Sequence, residues 1–160
     1  MSNGDRAEPT GAREWILVGM DFSPASRHAL ARARAMAAER DASLLVLHVI
    51  DGHGIDEVAR IAEIPESRLR ERLTEERRLR LDALMLEARE ADGSDVPVKL
   101  LISWGRPFEE ILKKASDFLV DLIVMGTSGH SADLEKALFG STAEKVLRAT
   151  PCPVLCVPAD

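Results

Sequence analysis

The sequence predicts an α/β fold: an open, mainly parallel sheet of five strands with helices on both faces. Three observations lead there. The chain has 160 residues, 46% of them hydrophobic and 30% charged, which is one domain's worth with enough apolar material for a core. Its apolar stretches are short and unbroken, as in strands buried on both faces of a parallel sheet. Between them run segments whose apolar residues recur at helical spacing, and alternation of strand and helix is how parallel sheets are built.

Residues 1–13 are polar and rich in Gly, Pro and charge, so they read as a mobile tail, and a single domain is assigned to 14–160. Ile16, Leu17 and Val18, ended by Gly19, form the first strand. Ser23 can cap the helix that follows, Pro24 suits its first turn, and Leu30, Ala33, Met36 and Ala37 hold the inner face as far as about Arg40. Ser43–Ile50 is the second strand, with the polar Asp51-Gly52-His53-Gly54 looping from its carboxyl end.

From Glu66 to Ala91 the chain is highly charged, yet Leu69, Leu73, Leu81, Leu84 and Ala88 make one stripe of a long amphipathic helix. Its exposed face is expected to carry the i, i+4 pairs Glu66–Arg70 and Glu76–Arg80. Val96–Ser103 reads as the third strand. Trp104-Gly105-Arg106-Pro107 leads into a helix with Phe108, Ile111, Leu112 and Ala115 on one face. Asp121–Met125 is the fourth strand and ends in a glycine turn, Ser141–Ala149 is a last helix with Val146 and Leu147 turned inward, and Pro153–Val157 is the fifth strand, expected at a sheet edge.

Composition removes several functions. A net charge of -6 opposes nucleic acid phosphates, and an aromatic content of 4% without tyrosine disfavours a base-stacking surface. No apolar run approaches the roughly 18 residues of a spanning helix, and the first residues lack the apolar centre of a secretory signal, so a cytoplasmic protein is expected. Cys152 and Cys156, four apart on one strand, would lie about 13 Å from each other, too far to bridge, and are expected to be reduced core residues. His28, His48, His53 and His130 show no paired metal spacing, and His48, in a strand, is expected to be packed. Trp104 and Phe108 are read as packing residues. Neither a Gly-x-Ser-x-Gly elbow nor a cysteine nucleophile motif occurs.

In open parallel sheets ligands bind at the carboxyl ends of strands, where strand order reverses. The loops to watch are therefore Met20-Asp21-Phe22-Ser23, Val49-Ile50-Asp51-Gly52 and Gly126 to Thr142. The last reads Gly126-Thr127-Ser128-Gly129, then ten residues, then Gly140-Ser141-Thr142 opening a helix. Glycines let backbone amides approach a ligand, and the helix start adds free N–H groups, a positive dipole and two hydroxyls, which is what a phosphate needs. The same residues also suit a bland role, with Gly126 ending a strand, Gly129 making a turn and Ser141 or Thr142 capping a helix. No Gly-Lys-Ser/Thr triplet makes this a Walker motif, and Lys136 sits at the wrong place for one.

Taken together, ILVGMDFSPAS, LLVLHVID, WGRPFEEIL, DLIVMGTSG and GSTAEKVLRATPCPVLCVP resemble the universal stress protein family over nearly everything from Trp15 to Pro158. The resemblance implies a Rossmann-like fold of the adenine nucleotide alpha hydrolase type. It also implies ATP, with magnesium carried through its phosphates, because members with the pattern Gly-x2-Gly-x9-Gly-Ser/Thr bind that nucleotide while others have lost both. By the same resemblance Gly126, Gly129, Gly140 and Ser141 would hold phosphates and ribose, Thr142 would add an amide, and Asp21 and the Val49 backbone would face the adenine. A homodimer through the last strand is implied as well. That strand carries no charge between Pro151 and Pro158 to blunt its edge, although Pro151 and Pro153 could protect it in a monomer.

The chain departs from the family pattern by one residue, with ten between Gly129 and Gly140. The addition brings Asp133 and Glu135 toward the phosphates, a repulsion of about 1 kcal/mol per charge pair at 4 Å in water-like surroundings, which Lys136 and His130 could offset in part. Three readings follow. The leading one is an ATP-binding regulatory protein with slow or no hydrolysis, since no residue is an evident catalytic base. The others are a dimeric interaction module without nucleotide and a hydrolase of the related adenine nucleotide group; against the last, a Ser-Gly-Gly-x-Asp-Ser type loop is absent after the first strand.

Overall fold

The computed structural model of the chain describes residues 13–128 and 139–159. Most of the tail and the stretch with Gly129, His130, Asp133, Glu135 and Lys136 lie outside the described residues. Five strands, β1 (Trp15–Gly19), β2 (Ser43–Ile50), β3 (Val98–Trp104), β4 (Leu122–Gly126) and β5 (Val154–Val157), form one sheet in the order β3-β2-β1-β4-β5. Every neighbouring pair is parallel, with β1 central: Leu17 lies beside Leu45 on one side and Ile123 on the other.

The unbroken apolar runs are explained by two cores. Ile16, Val18, Leu44 and Val46 point to the face covered by α1 (Pro24–Arg40) and α3 (Glu66–Asp92), while Leu17, Leu45, Leu47 and Ile123 point to the face covered by α4 (Pro107–Asp117) and α5 (Ser141–Ala149). Successive strand residues serve opposite faces, so none can be polar without facing one core or the other. In α1 the small residues Ala25, Ala29, Ala33 and Ala37 are buried, which lets the helix lie close to β1 and β4. Its start is capped as expected, the Ser23 hydroxyl accepting from the Ser26 amide at 3.2 Å.

A buried guanidinium ties α1 to the end of α3. Arg34 donates through Nη2 to Asp92 Oδ1 at 2.9 Å, to the Ser94 carbonyl at 3.1 Å and to the Ser94 hydroxyl at 2.9 Å. The Arg34 hydrogen bond holds the Asp92 carboxyl well below the usual carboxylate range.

Five details differ from the sequence reading. A seven-residue helix, α2 (Ile55–Ile61), stands where no element was expected; it buries only Ile55 and Ala59, one turn apart, too short a stripe to register as a period. In α3 only Leu81 and Leu84 of the expected stripe are buried, while Leu69, Leu73 and Ala88 are half-buried. Glu66 and Arg70 do pair, at 2.8 Å, but Glu76 bonds Arg77 instead of Arg80, whose guanidinium goes to the Phe22 ring. In α5 Val146 is buried but Leu147 is 40% exposed. Cys152 precedes β5 and Cys156 lies within it; both are free and only half-buried, packed at the margin of the second core, and burial pushes both thiols up. Among the described residues no helix is long and apolar enough to cross a membrane.

Candidate functional site

The chain steps outward from β1 to β2 and β3, then returns to the other side of β1 for β4 and β5. Strand order therefore reverses between β1 and β4, and the crevice for a ligand opens at their carboxyl ends. Asp21, Val49, Gly126, Gly140, Ser141 and Thr142 all lie in or beside the segments that leave this end of the sheet.

On the β1 side, Asp21 is exposed and its Oδ1 accepts from the Ser23 amide at 3.0 Å and from the Ser23 hydroxyl. The carboxylate thus builds the turn into α1 as well as standing at the crevice, so the turn-forming role is present. The Met20 amide donates to the Leu47 carbonyl at 2.8 Å, which turns the Leu47 peptide toward β1. Peptide directions alternate along a strand, so Val49 faces the same way, beyond the last β1–β2 pair, Gly19 with Leu47. That geometry leaves the Val49 backbone directed at the crevice.

On the β4 side the two glycines act differently from one another. A Cβ on Gly126 would stand 2.7 Å from Ala25 Cβ, 2.9 Å from the Ala25 carbonyl carbon and 3.0 Å from the Ser26 amide. Gly126 is therefore accounted for by the approach of α1 to the end of β4, and the room it leaves is filled by protein. Gly140 is the N-cap of α5; its amide donates to the Thr127 carbonyl at 2.6 Å, and the Thr127 amide donates to the Val157 carbonyl at 3.0 Å. These bonds bring the start of α5 beside the end of β4. Having no side chain, Gly140 caps none of the first amides of α5, where Ser141 and Thr142 stand as the first two helical residues. Among the described residues no side chain caps the positive end of this nine-residue helix, and such an end favours an anion. Gly129 lies outside the described residues.

The sequence reading missed the layer beneath the β1 turn. Phe22 is buried with φ 64, and its ring meets the His48 ring at 4.9 Å and the Arg80 guanidinium at 4.1 Å. His48 is packed as expected, with Nδ1 2.7 Å from the Met20 carbonyl. A carbonyl can only accept, so Nδ1 carries the proton. Burial lowers the pKa of this imidazole from 6.5, with Arg77 and Arg80 acting in the same direction and the Met20 bond and Asp21 opposing them. The helical spacing of Arg77 and Arg80 next to Leu81 was the available signal, since neighbours of a buried leucine border the core. Farther along, Trp104 donates from Nε1 to Thr74 Oγ1 at 3.0 Å beneath the Arg70 guanidinium, a packing role. Among the described residues no cluster of three or more His, Cys, Asp or Glu side chains is placed to hold a metal ion.

The family model for the universal stress protein family matches residues 13–158. Universal stress protein MJ0577 of Methanocaldococcus jannaschii is 32% identical over 154 residues, covering 89% of this chain and 93% of its own. Universal stress protein YxiE of Bacillus subtilis is 33% identical over 144 residues, covering 89% of this chain and 97% of its own. The solved structure of MJ0577 superposes with a TM-score of 0.76 at 34% identity, covering 91% and 95% of the two chains. That of UspA from Lactobacillus plantarum does so with 0.72 at 28% identity, covering 92% and 99%. The fold is shared more distantly by a universal stress protein solved with cAMP (TM-score 0.63, 22% identity) and one from Archaeoglobus fulgidus solved with dAMP (0.59, 18%). A model match across most of the chain and relatives above 30% identity over nearly their whole lengths leave one assignment: the chain belongs to the universal stress protein family.

Proposed function

We propose that the chain is a cytoplasmic, ATP-binding regulatory protein of the stress response, which holds the nucleotide at the β1–β4 crevice and turns it over slowly or not at all. In this reading the phosphates and ribose lie against Gly126, Gly129, Gly140 and Ser141 with the Thr142 amide, and the adenine lies between Asp21 and the Val49 backbone. The observation that carries it is the start of α5, a helix N-terminus with no side-chain cap, tied by the Gly140–Thr127 bond to the point where strand order reverses. Relatives solved with cAMP and dAMP support an adenine nucleotide as the ligand class. Magnesium would be bound through the phosphates.

Isothermal calorimetry with ATP and magnesium at millimolar concentration tests the reading. Binding is expected, and Gly129→Val should abolish it. Absence of heat with the parent, or equal binding by the variant, sinks it. The alternative of a nucleotide-free interaction module is favoured by two observations: the extra residue between Gly129 and Gly140, and the packing need for Gly126, which persists with no ligand present. Silence in the calorimeter would select it.

A second copy of the chain is the proposed partner. β5 stands at the edge of the sheet, with Val154, Leu155, Cys156 and Val157 half-buried and uncharged. An apolar edge with free amides is a liability in a monomer, and pairing between two copies would cover both the amides and the side chains.

A further inference from the structure

We propose that His48 is a positioning residue for the nucleotide base, a strut that fixes the Asp21 turn against β2 so that Asp21 and the Val49 backbone present one defined gap. This rests on the proposed adenine site. The Met20 peptide is held at both ends by the second strand: its amide donates to the Leu47 carbonyl at 2.8 Å, and its carbonyl accepts from His48 Nδ1 at 2.7 Å. Met20 immediately precedes Asp21, and His48 immediately precedes Val49. One side chain thus ties together the two residues assigned to the base.

The turn has reason to need such a strut. Phe22 adopts φ 64, a backbone conformation that L side chains rarely take, and it is held there by the contacts of its buried ring with His48 and Arg80. Removing the imidazole would leave the Met20 carbonyl unanswered and free one side of that ring, so the turn could relax toward ordinary dihedrals and carry Asp21 away. The start of α5 is reached through β4 and does not depend on His48. Base recognition should therefore weaken while phosphate recognition persists.

The test uses two polar substitutions of different reach. In His48→Asn the amide nitrogen occupies nearly the position of Nδ1 and can still donate to Met20; in His48→Gln it lies one bond farther out and cannot. Dissociation constants for ATP, CTP and tripolyphosphate, each with magnesium, are measured on the full chain and both variants. The parent is expected to favour ATP over CTP. His48→Gln should lose at least about tenfold of that preference with tripolyphosphate affinity changed less than about twofold, and His48→Asn should retain most of it. The inference is overturned if the parent shows no preference for ATP, if Asn and Gln behave alike, or if tripolyphosphate affinity falls in proportion with that of ATP. A parent that binds no ATP at all overturns the proposed function itself.

Discussion

Replacing Gly126 by alanine puts a methyl group where α1 already is. The added carbon would lie 2.7 Å from Ala25 Cβ, against the roughly 3.5–4.0 Å at which carbon atoms rest. Two further contacts, at 2.9 Å and 3.0 Å, are with the backbone of Ala25 and Ser26, which no rotamer change can relieve. Relief needs either the end of β4 or the start of α1 to shift by several tenths of an ångström. The first is tied by the Thr127–Val157 bond and the second by the Ser23 cap. Overpacking of this kind costs about 1–3 kcal/mol. The stiffer unfolded chain of the alanine variant offsets about 0.4–1 kcal/mol, so a net loss of about 1–2 kcal/mol is expected. With a urea slope of about 1–3 kcal/mol/M the unfolding midpoint should fall by roughly 0.5–1 M. Ala25→Gly supplies the control, because it removes the contact at 2.7 Å and leaves the two backbone contacts. The two substitutions in a double-mutant cycle should therefore couple by about 0.5 kcal/mol or more, with Gly126→Ala less harmful when Ala25 is gone. An alanine variant as stable as the parent, or a strictly additive cycle, would refute the packing account and return Gly126 to a role in ligand approach alone.

Asp92→Ala should cost about 1.5–3 kcal/mol at neutral pH, the range for hydrogen bonds to a charged group, because Asp92 is 35% exposed and screened by solvent while Arg34 is 3% exposed. Since Arg34 lowers the folded pKa of Asp92, the parent keeps this contribution in full above the ordinary value of 3.8 and loses it progressively as pH falls from there through the folded value; urea unfolding at pH 7 and pH 3 should show the gap between parent and variant narrowing in acid. Burial lowers the folded pKa of His48 below 6.5, so the unfolded chain takes up that proton first, and stability should fall as pH drops from about 7.5 to 5.5. His48→Asn should flatten that slope, and an unchanged slope would reject the assignment. Light scattering at micromolar concentration should give about twice the chain mass of 17.5 kDa, reduced toward it by Leu155→Lys; a parent at the single mass would sink the β5 dimer. Steady-state phosphate release should stay far below about 1 s⁻¹, and rapid turnover lost on changing Asp21 or His130 would move the protein among the enzymes.

The fold was legible because its signal is local and repeated. Each strand announces itself by an apolar run that must satisfy two cores at once, and the Ser23-Pro24 and Arg106-Pro107 starts punctuate the helices. The boundaries slipped by a residue or two where the pattern is symmetric, as at Val96 against the observed Val98. α2 escaped because two buried residues make no period. The candidate site was legible in its ends and opaque in its middle. Glycines, an exposed aspartate and a hydroxyl-bearing helix start are read from a linear pattern, but what supports them is tertiary. The spacing of Arg77 and Arg80 beside Leu81 sets them at the border of the core but does not tell that Arg80 and a histidine of β2 will hold the Phe22 ring, and the local rule that paired Arg80 with Glu76 gave way to that ring. Exposed i, i+4 pairs stabilise by only about 0.2–0.5 kcal/mol, whereas an exposed guanidinium over an aromatic face gains about 0.5–1 kcal/mol, so the tertiary contact wins. Gly126 makes the same point from the other side. A glycine at the end of β4 can be recognised as necessary from its spacing, but the reason is α1 reaching across from β1, and only the sheet order β2-β1-β4 brings the two together. The crevice and the tight packing beneath it are thus products of one topology: the reversal that opens a place for a ligand between β1 and β4 also presses the first turn of α1 against the last residue of β4.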